Sequence, residues 1–376
     1  MNLIPPAGGY PPFYKFLLSI SGANLCLEKL FEQEVLLPVS SGKSALFALF
    51  SALRQLHGSS KVVVSSYSCP DIVTALVRAG YKAELAPISQ KTLEIDRDYL
   101  LSLKSSEYAA IIFSNLYGMR DSIPTGIDPG ILVVDDLCQS LLSKKTRVPG
   151  ISIFSASRGK SLCGLGGGGL ILTKGNDLAI KVFDSASREI STWSKPDFAR
   201  ELKVLLIAML IPTLEQPKMF ALLNTLAPFL KLGEVVIDFD FKNKKMSSLE
   251  NLYAAYQYRA ANLSKCLWPQ KLAALRLTQP YLERKLTEDT HLIRYPILLK
   301  TEEQRLKAIK ILKPFGLSPS YGKSLFEFEE LKPHVLSSEQ VKAIKGLVTL
   351  PTHKNVSHQV MDKITEILSK IQDNKL

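Results

Sequence analysis

The sequence predicts an α/β protein whose mostly parallel sheet is followed by a smaller C-terminal α+β domain. Its length of 376 residues allows two domains, or one large domain with an appendage. Short β-rich runs alternate with helical stretches through the first two thirds of the chain, which is typical of a parallel sheet covered by helices. The β-rich runs are continuously apolar, as strands are when both faces of their sheet are buried.

The large α/β domain is predicted at residues 31–245, behind an N-terminal segment at 1–30. Helices are expected at 44–55, directly after a turn rich in serine and glycine, and at 71–79. The strands expected around these helices are 61–65, 83–86, 109–114, 131–135, 151–155 and 170–173.

The small α+β domain is predicted at residues 246–376. It begins with a helical stretch at 246–267, and a strand is expected near 292–299. Amphipathic helices are expected at 302–312 and 358–371, because apolar residues recur there at helical spacing.

An apolar insert at residues 202–233 interrupts the large domain. Two short apolar helices are expected there, separated by residues 212–217 and ended by Pro228 and Gly233. Burial against the protein body or a dimer partner is the favoured role. The alternative is a hairpin that dips into one face of a membrane. The lysines that would then lie near the lipid headgroups are Lys203, Lys218 and Lys231.

The composition indicates a cytoplasmic globular protein. No apolar run approaches the ~18 to 20 residues of a membrane-spanning helix, and the N-terminus lacks the layout of a secretory signal. The five cysteines are scattered without CxxC spacing, so neither a disulfide framework nor a zinc site is expected.

The net charge of +12 points to an anionic partner. Nucleic acid is not favoured, because no basic run is interleaved with aromatic residues. A small substrate that carries a nucleotide diphosphate, or an anionic membrane surface, agrees with the charge equally well.

The segment around Lys160 carries the most informative motif. Ser155 lies five residues before Lys160, and a glycine-rich stretch leads from Lys160 into an apolar run at 170–173. Pyridoxal phosphate (PLP) enzymes need these residue types: the serine reaches the cofactor phosphate, the lysine its aldehyde, and the glycines let backbone pass close to the ring. Taken alone, however, a lysine near glycines is more often a solvated loop residue.

Two Gly-Lys-Ser sequences resemble the end of a nucleotide-binding P-loop, but neither is one. That motif requires a glycine five positions before the Gly-Lys pair. Phe154 occupies this position before Gly159-Lys160, and Leu37 occupies it before Gly42-Lys43.

Two further segments supply groups that PLP needs. Asp135 and Asp136 end a buried strand, where a carboxylate can face the pyridine nitrogen. The alternative is that they are two acidic turn residues that cap the next helix. Gly42, Lys43 and Ser44 open a helix, whose backbone N–H groups and serine hydroxyl can hold a phosphate. A plain N-cap serine is an equal alternative for Ser44.

Six segments in order resemble the DegT/DnrJ/EryC1/StrS family of PLP-dependent sugar aminotransferases, which have the type I, aspartate-aminotransferase-like fold. The Ser41–Leu46 turn resembles the family's Ser-Gly-Thr-x-Ala-Leu, and Asp135–Gln139 its Glu-Asp-Ala-Ala-Gln. The other segments are residues 62–80, Asn115-Leu-Tyr-Gly118, Phe154-Ser155 with Lys160, and Leu350-Pro-Thr-His353. The resemblance spans roughly residues 30 to 370.

The resemblance implies a role for each of these residues. Lys160 would be the Schiff-base lysine and proton carrier, Asp136 would pair with the pyridine nitrogen, and Gln139 would lie near the ring and its hydroxyl. The residues implied to bind the phosphate are Ser155, Gly42, Lys43 and Ser44. Asn243 would reach the phosphate of a neighbouring subunit, which implies a homodimer with shared active sites.

This chain departs from the family pattern at two of these positions. Cys69 stands where an aromatic residue usually stacks on the PLP ring, with Tyr67 as a candidate replacement, and Lys43 stands where the phosphate turn has threonine. The Ser-Arg-Gly-Lys form of the lysine loop and the apolar insert resemble a branch associated with exopolysaccharide gene clusters.

The resemblance implies a cytoplasmic aminotransferase that moves an amino group from glutamate, or a similar donor, to a keto-sugar, with a nucleotide-linked sugar favoured, in polysaccharide biosynthesis. Sugar dehydratases of the family carry histidine in place of the lysine, so Lys160 argues against that reaction. The alternatives are another type I PLP reaction, such as that of a lyase, and a non-catalytic scaffold for polysaccharide assembly at the membrane.

Overall fold

The computed structural model describes most of the chain. The described residues are 4, 17, 26–31, 34–143, 149–173, 176–214, 216, 219, 237–260, 266–284, 290–337, 341, 344–353 and 355–375.

Ten strands form two sheets. In chain order they are β1 (Val35–Val39), β2 (Lys61–Ser65), β3 (Lys82–Ala86), β4 (Tyr108–Phe113), β5 (Leu132–Asp136), β6 (Gly150–Ser155), β7 (Gly168–Thr173), β8 (Arg294–Leu298), β9 (Val335–Ser337) and β10 (Leu347–Pro351). The large sheet has the order β1-β7-β6-β5-β4-β2-β3-β9, and β8 and β10 form an antiparallel pair. Within the large sheet β7 alone runs opposite to the others, so the sheet is mostly parallel, as predicted.

Helices cover both faces of the large sheet and pack beside the small one. They are α1 (Leu27–Leu30), α2 (Gly42–Leu56), α3 (Pro70–Arg78), α4 (Arg97–Ser102), α5 (Asp177–Thr192), α6 (Phe198–Leu214), α7 (Ser248–Ala260), α8 (Trp268–Lys271), α9 (Pro280–Glu283), α10 (Glu302–Leu312) and α11 (His358–Gln372).

The strands of the large sheet are apolar on both faces because each face is covered. Val62 and Val64 point into the core shared with α2, α3 and α5, whereas Val63 points into the core that holds Leu100 of α4. This alternation follows from the period of two along a strand. It explains why the strands read as continuous apolar runs.

The C-terminal part packs around a second apolar cluster, which Tyr117 and Met119 of the preceding part join, and it also completes the large sheet. Ile297 of β8, Leu350 of β10 and Ile364 of α11 lie in one apolar cluster. The short strand β9 leaves this part and pairs in parallel with β3, with Leu336 opposite Glu84. The division into domains at residue 245 stays a prediction.

Most predicted elements lie within two residues of the observed ones. Strands β1, β9 and β10 were not predicted. Pro38 interrupts the apolar run of β1, and β9 has only three residues. A three-residue strand is too short to show a period of two.

The apolar insert begins with a longer helix than predicted. Helix α6 runs from Phe198 to Leu214 and so continues past Pro212, where the sequence predicted its end. The second predicted apolar helix and the end of the insert lie outside the described residues, apart from two isolated positions. Among the described helices, none has the length and hydrophobicity that a membrane span requires.

Helix α6 is fixed to α7 along one face and exposed on the other. Arg200 forms an ion pair with Glu250 at 2.8 Å, and Val204 and Ala208 are buried. The opposite face leaves large apolar side chains exposed: Phe198, Leu202, Leu206, Met209 and Leu210. An exposed apolar stripe of this kind is typical of an interaction surface.

Candidate active site

A cavity of about 200 Å³ lies where the parallel strands end and helix α2 begins. The carboxyl ends of parallel strands face the same edge of a sheet, which is where α/β proteins bind ligands. The residues that line it include Ser40, Ser41, Gly42, Lys43, Cys69, Asp71, Asp136, Cys138, Gln139, Ser155, Ser157, Lys160, Gly166, Gly167, Phe241 and Tyr321. Seven of the nine predicted site residues are therefore in the wall of one cavity; Ser44 and Asn243 are the other two.

Asp136, at the end of β5, is the carboxylate in this wall. Its Oδ1 accepts a hydrogen bond from the backbone N–H of Cys138 at 2.9 Å, so it also caps the turn that follows the strand. Burial raises the pKa of Asp136, while the bonds from Cys138 and the charge of Lys160 lower it. The net direction is upward, which means that burial in this site disfavours the ionised form.

Asp135 faces away from the cavity and has a structural role. Its carboxylate accepts from Arg120 at 2.5 Å and from Asn115 at 2.6 Å. Asn115 also donates to the backbone carbonyl of Asp136 at 3.0 Å. Because neighbouring residues on a strand point to opposite faces, only one of the two adjacent carboxylates reaches the cavity.

Lys160 lies in the loop between β6 and β7, where its backbone N–H donates to the carbonyl of Ser157 at 3.3 Å. Its side chain is in the cavity wall rather than in solvent. Burial lowers the pKa of Lys160, whereas Cys69, Cys138 and Asp136 raise it, and the net direction is upward. The solvated loop lysine that was the alternative explanation does not describe this side chain.

Hydroxyl groups and the start of α2 form one side of the cavity. The Oγ atoms of Ser155 and Ser157 are 3.0 Å apart, and Ser41 caps α2 by accepting from the backbone N–H of Ser44 at 3.1 Å. Ser44 itself is fully buried behind the wall, with its Oγ 3.0 Å from that of Ser41. Ser41 and Ser157 thus provide hydroxyls at positions that the sequence did not single out.

Lys43 brings a positive charge to the same side. Its Nζ is 2.6 Å from Oδ1 of Asp71 and lies over the ring of Phe241, 5.2 Å from the ring centroid. Both partners also line the cavity. Lys43 is therefore held beside the start of α2 by groups that a phosphate could replace as its partner.

The glycines after Lys160 bring β7 close to α2. A Cβ atom on Gly168 would lie 2.5 Å from the backbone N of Gly42 and 2.6 Å from the carbonyl O of Phe154. Gly166 and Gly167 have φ values of 137° and 89° and line the cavity. The glycine-rich stretch thus serves backbone packing as well as access to the cavity.

Gln139 is held from both sides. Its Oε1 accepts from the backbone N–H of Tyr117 at 2.7 Å, and its Nε2 donates to the hydroxyl of Tyr321 at 2.7 Å. Tyr321 was not predicted as a site residue, because it is 182 residues away along the chain. No local pattern marks it.

The two residues considered for the ring-stacking position differ in their surroundings. Cys69 lines the cavity, whereas Tyr67 is buried and bonds through its hydroxyl to that of Tyr117 at 3.2 Å. Tyr67 is thus placed behind the wall.

Asn243 lies outside the cavity wall, two residues from Phe241, which is part of it. Its Oδ1 is buried and has no hydrogen-bond partner among the residues that the structure describes. A buried amide oxygen of this kind is costly unless a further donor reaches it.

The side chains around the cavity fit PLP. An amine, a buried carboxylate, and a cluster of hydroxyls at a helix N-terminus are the three groups that its aldehyde, ring nitrogen and phosphate require. Lys160, Asp136 and Ser155 supply one of each in the wall of a single cavity.

The sequence comparison agrees with this arrangement. Residues 26–195 match the model of the DegT/DnrJ/EryC1/StrS aminotransferase family. No curated protein matches the chain in sequence.

Solved structures match over nearly the whole chain. PseC from Helicobacter pylori, an aminotransferase involved in pseudoaminic acid biosynthesis, has 15% identity and a TM-score of 0.69, with 100% of each chain covered. NtdA from Bacillus subtilis, solved with PMP, has 18% identity and a TM-score of 0.66, covering 98% of this chain and 86% of its own. An E. coli GDP-4-keto-6-deoxy-D-mannose-3-dehydratase with hydrated PLP has 14% identity and a TM-score of 0.67, covering 98% of this chain and 100% of its own.

These likenesses confirm the predicted aminotransferase-type α/β fold. The family match covers the strands and loops that carry eight of the nine predicted site residues, all except Asn243. Over residues 26–195, slightly less than half of its length, the chain is similar to the DegT/DnrJ/EryC1/StrS aminotransferase family.

Proposed function

We propose that this protein is a PLP-dependent aminotransferase that takes an amino group from glutamate, or a similar donor, and transfers it to a keto-sugar. The observation that carries the proposal is the meeting of Lys160 and Asp136 in the wall of one cavity, beside the paired hydroxyls of Ser155 and Ser157. The match of residues 26–195 to an aminotransferase family supports the reaction class.

Each of these residues has a separate role in the proposed function. When bound, PLP supplies a ring that accepts the electrons released at the amino-acid α-carbon. Asp136 holds a proton on the ring nitrogen through its carboxylate. The two serine hydroxyls and the start of α2 bind the phosphate, with Lys43 adding a positive charge.

Lys160 is the proton carrier in this proposal. Before a ligand binds, its raised pKa keeps the side chain as an ammonium. As a neutral amine, Lys160 would take the proton from the donor α-carbon and, in the second half of the reaction, would deliver a proton to the acceptor carbon that gains the amino group. Its position in the cavity wall, with Asp136 nearby, keeps the transfer away from bulk water.

A nucleotide-linked sugar of a polysaccharide pathway is the acceptor we favour. The net charge of +12 suits a diphosphate-bearing substrate. PseC, which matches over its full length, acts in the biosynthesis of a sugar acid. The proposed location is the cytoplasm, where such substrates are made.

We also propose a homodimer with shared active sites. The buried Oδ1 of Asn243 needs a donor, and the apolar stripe on α6 needs a cover. The mass of one chain is 41.7 kDa, and sedimentation of the purified protein should give twice that mass. A monomer at micromolar concentration contradicts this proposal.

Contact of the apolar stripe with a membrane is the alternative for α6. Lys203 lies on the exposed side of that helix, as a membrane contact requires. Flotation with vesicles of anionic lipid distinguishes the two: a dimer stays at the bottom of the gradient, whereas a membrane-bound protein floats. Leu206→Glu should abolish flotation in the second case.

The absorbance spectrum of the protein with added PLP tests the proposed function. We expect a band near the visible range that is lost in Lys160→Ala and kept in Lys332→Ala, which removes an exposed lysine outside the cavity wall. A wild-type protein that stays colourless contradicts the proposal. Bleaching of the band by glutamate separates an aminotransferase from a scaffold and from most lyases.

A further inference from the structure

Tyr321 presents a hydroxyl to the cavity from the C-terminal part of the chain. Its segment is fixed on both sides: Ser318 exchanges backbone hydrogen bonds of 3.0 and 2.8 Å with Thr349 of β10, and Arg305 donates to the carbonyl of Gly322 at 2.8 Å. Ser320 has a φ of 57°, which turns the chain just before the tyrosine. The side chain of Tyr321 is therefore placed by the surrounding backbone.

The direction of the hydrogen bond between Gln139 and Tyr321 follows from the groups around it. The backbone N–H of Tyr117 can only donate, so the Gln139 atom 2.7 Å from it must be the amide oxygen. The amide nitrogen of Gln139 then faces the Tyr321 hydroxyl, 2.7 Å away, and can only donate to it. The hydroxyl of Tyr321 is thus an acceptor in this contact, and its own proton must point elsewhere.

The proton of Tyr321 is available to a ligand. In the part of the chain that the structure describes, Gln139 is the one hydrogen-bond partner of this hydroxyl, and Tyr321 lines the cavity. Burial raises the pKa of Tyr321 well above its ordinary value, and Cys69 and Asp136 act in the same direction, so the hydroxyl stays protonated at neutral pH. These two neighbours are the residues expected on the face and at the nitrogen of a bound PLP ring.

We propose that Tyr321 binds the cofactor, its hydroxyl donating a hydrogen bond to an oxygen of PLP, and that Gln139 is a positioning residue that acts through Tyr321. The proposal rests on the proposed PLP-dependent function. It adds to the role of Gln139, which the family resemblance placed near the ring: its amide oxygen accepts from Tyr117, and one of its two amide N–H groups donates to Tyr321.

Three variants test the proposal by the affinity of the cofactor-free protein for PLP, measured by absorbance titration. Tyr321→Phe removes the hydroxyl and keeps the ring. Tyr67→Phe is the matched control, because its hydroxyl is buried and bonds to Tyr117 behind the cavity wall. Gln139→Glu puts in a side chain that can only accept, so Tyr321 must turn its proton away from the ligand.

We expect Tyr321→Phe to weaken PLP binding by about three- to tenfold, the loss of one neutral hydrogen bond. Tyr67→Phe should bind PLP with an affinity within about twofold of wild type. Its melting temperature should be lower, because the buried hydrogen bond to Tyr117 is lost. Gln139→Glu should weaken PLP binding more in the wild-type background than in Tyr321→Phe, which has no hydroxyl to orient. An equal weakening in both backgrounds, as a purely electrostatic effect of the new carboxylate would give, would overturn the role given to Gln139.

The remaining outcomes are also decisive. If Tyr321→Phe binds PLP as tightly as Tyr67→Phe does, Tyr321 is not a cofactor ligand. If its PLP affinity is unchanged and only the KM of the sugar or amino donor rises, the hydroxyl serves the substrate and the proposal is wrong. If the wild-type protein fails to bind PLP, the proposed function fails instead. Should Tyr321→Phe not fold, Gln139→Glu decides, because retained PLP affinity in that variant refutes the proposal.

Discussion

Replacing Gly168 by alanine should disturb the fold and the site together. The new Cβ would lie 2.5 Å from the backbone N of Gly42, 2.6 Å from the carbonyl O of Phe154 and 2.7 Å from the backbone C of Ser41. All three are backbone atoms, so no side chain can rotate out of the way. To reach an ordinary contact of 3.4 Å, β7 and the start of α2 must separate by about 0.9 Å, the difference between 3.4 and 2.5 Å.

Two measurable losses follow from that displacement. Overpacking of a filled interior costs about 1–3 kcal/mol, and the separation cannot be relieved by one flexible group, so we expect about 2–3 kcal/mol off the free energy of unfolding. The start of α2 also borders the cavity, and a misplacement of ~1 Å can reduce an enzymatic rate by about 100-fold. Gly168→Ala should therefore lose both stability and transamination rate.

Gly58 provides the control for this prediction. A Cβ atom there would meet nothing within 4 Å, so Gly58→Ala should change the free energy of unfolding by less than about 0.5 kcal/mol. Urea unfolding followed by circular dichroism measures the stability, and amino transfer from glutamate measures the rate. The reasoning fails if Gly168→Ala unfolds at the same urea concentration as Gly58→Ala.

Two more predictions concern the adjacent carboxylates. Arg120→Met should lower the free energy of unfolding by about 3 kcal/mol, because it breaks the buried ion pair with Asp135. The control is Lys370→Met, which breaks an exposed ion pair with Glu366 and should lower the free energy of unfolding by less than about 0.5 kcal/mol. Equal losses for the two variants in urea unfolding would contradict this prediction. Asp136→Asn should make the PLP-free protein more stable at pH 7 but weaken PLP binding. The folded protein raises the pKa of Asp136, so it binds the carboxyl proton more tightly than the unfolded chain does, and ionisation costs stability as the pH rises above about 3.9. The gain in stability from Asp136→Asn should therefore shrink as the pH falls towards about 3.9, which melting curves at several pH values measure. An Asp136→Asn variant that is less stable than wild type at pH 7 without PLP would refute the argument.

The sequence was sufficient for those parts of the site that are local. Asp136 and Ser155 end strands whose apolar runs are continuous, Lys160 lies in the loop after one of them, and the parallel sheet brings strand ends to one edge. The same logic placed the start of α2 beside them. Where a residue type and its position on an element decide the geometry, the sequence carries the information.

Long-range partners could not be predicted in this way. Ser44 has the right residue type for a phosphate ligand, but its hydroxyl turns back to Ser41 inside the helix cap. Tyr321 reaches Gln139 only because the C-terminal part folds over the strand ends. Residue type and position alone did not distinguish Asp135 from Asp136, and the family resemblance singled out Asp136. The buried partners of Asp135, Arg120 and Asn115, give the physical reason for the difference.

Strand β9 has a consequence for how the chain folds. Ala83 of β3 pairs with Val335 of β9, so the outermost pairing of the large sheet joins residues 252 positions apart, the difference between 335 and 83. During synthesis β3 must remain an open edge until almost the whole chain has left the ribosome, and contacts this distant form slowly. An unpaired parallel edge is a template for association with other chains. A fragment that ends before Val335 should therefore aggregate even though it contains all the described residues that line the cavity.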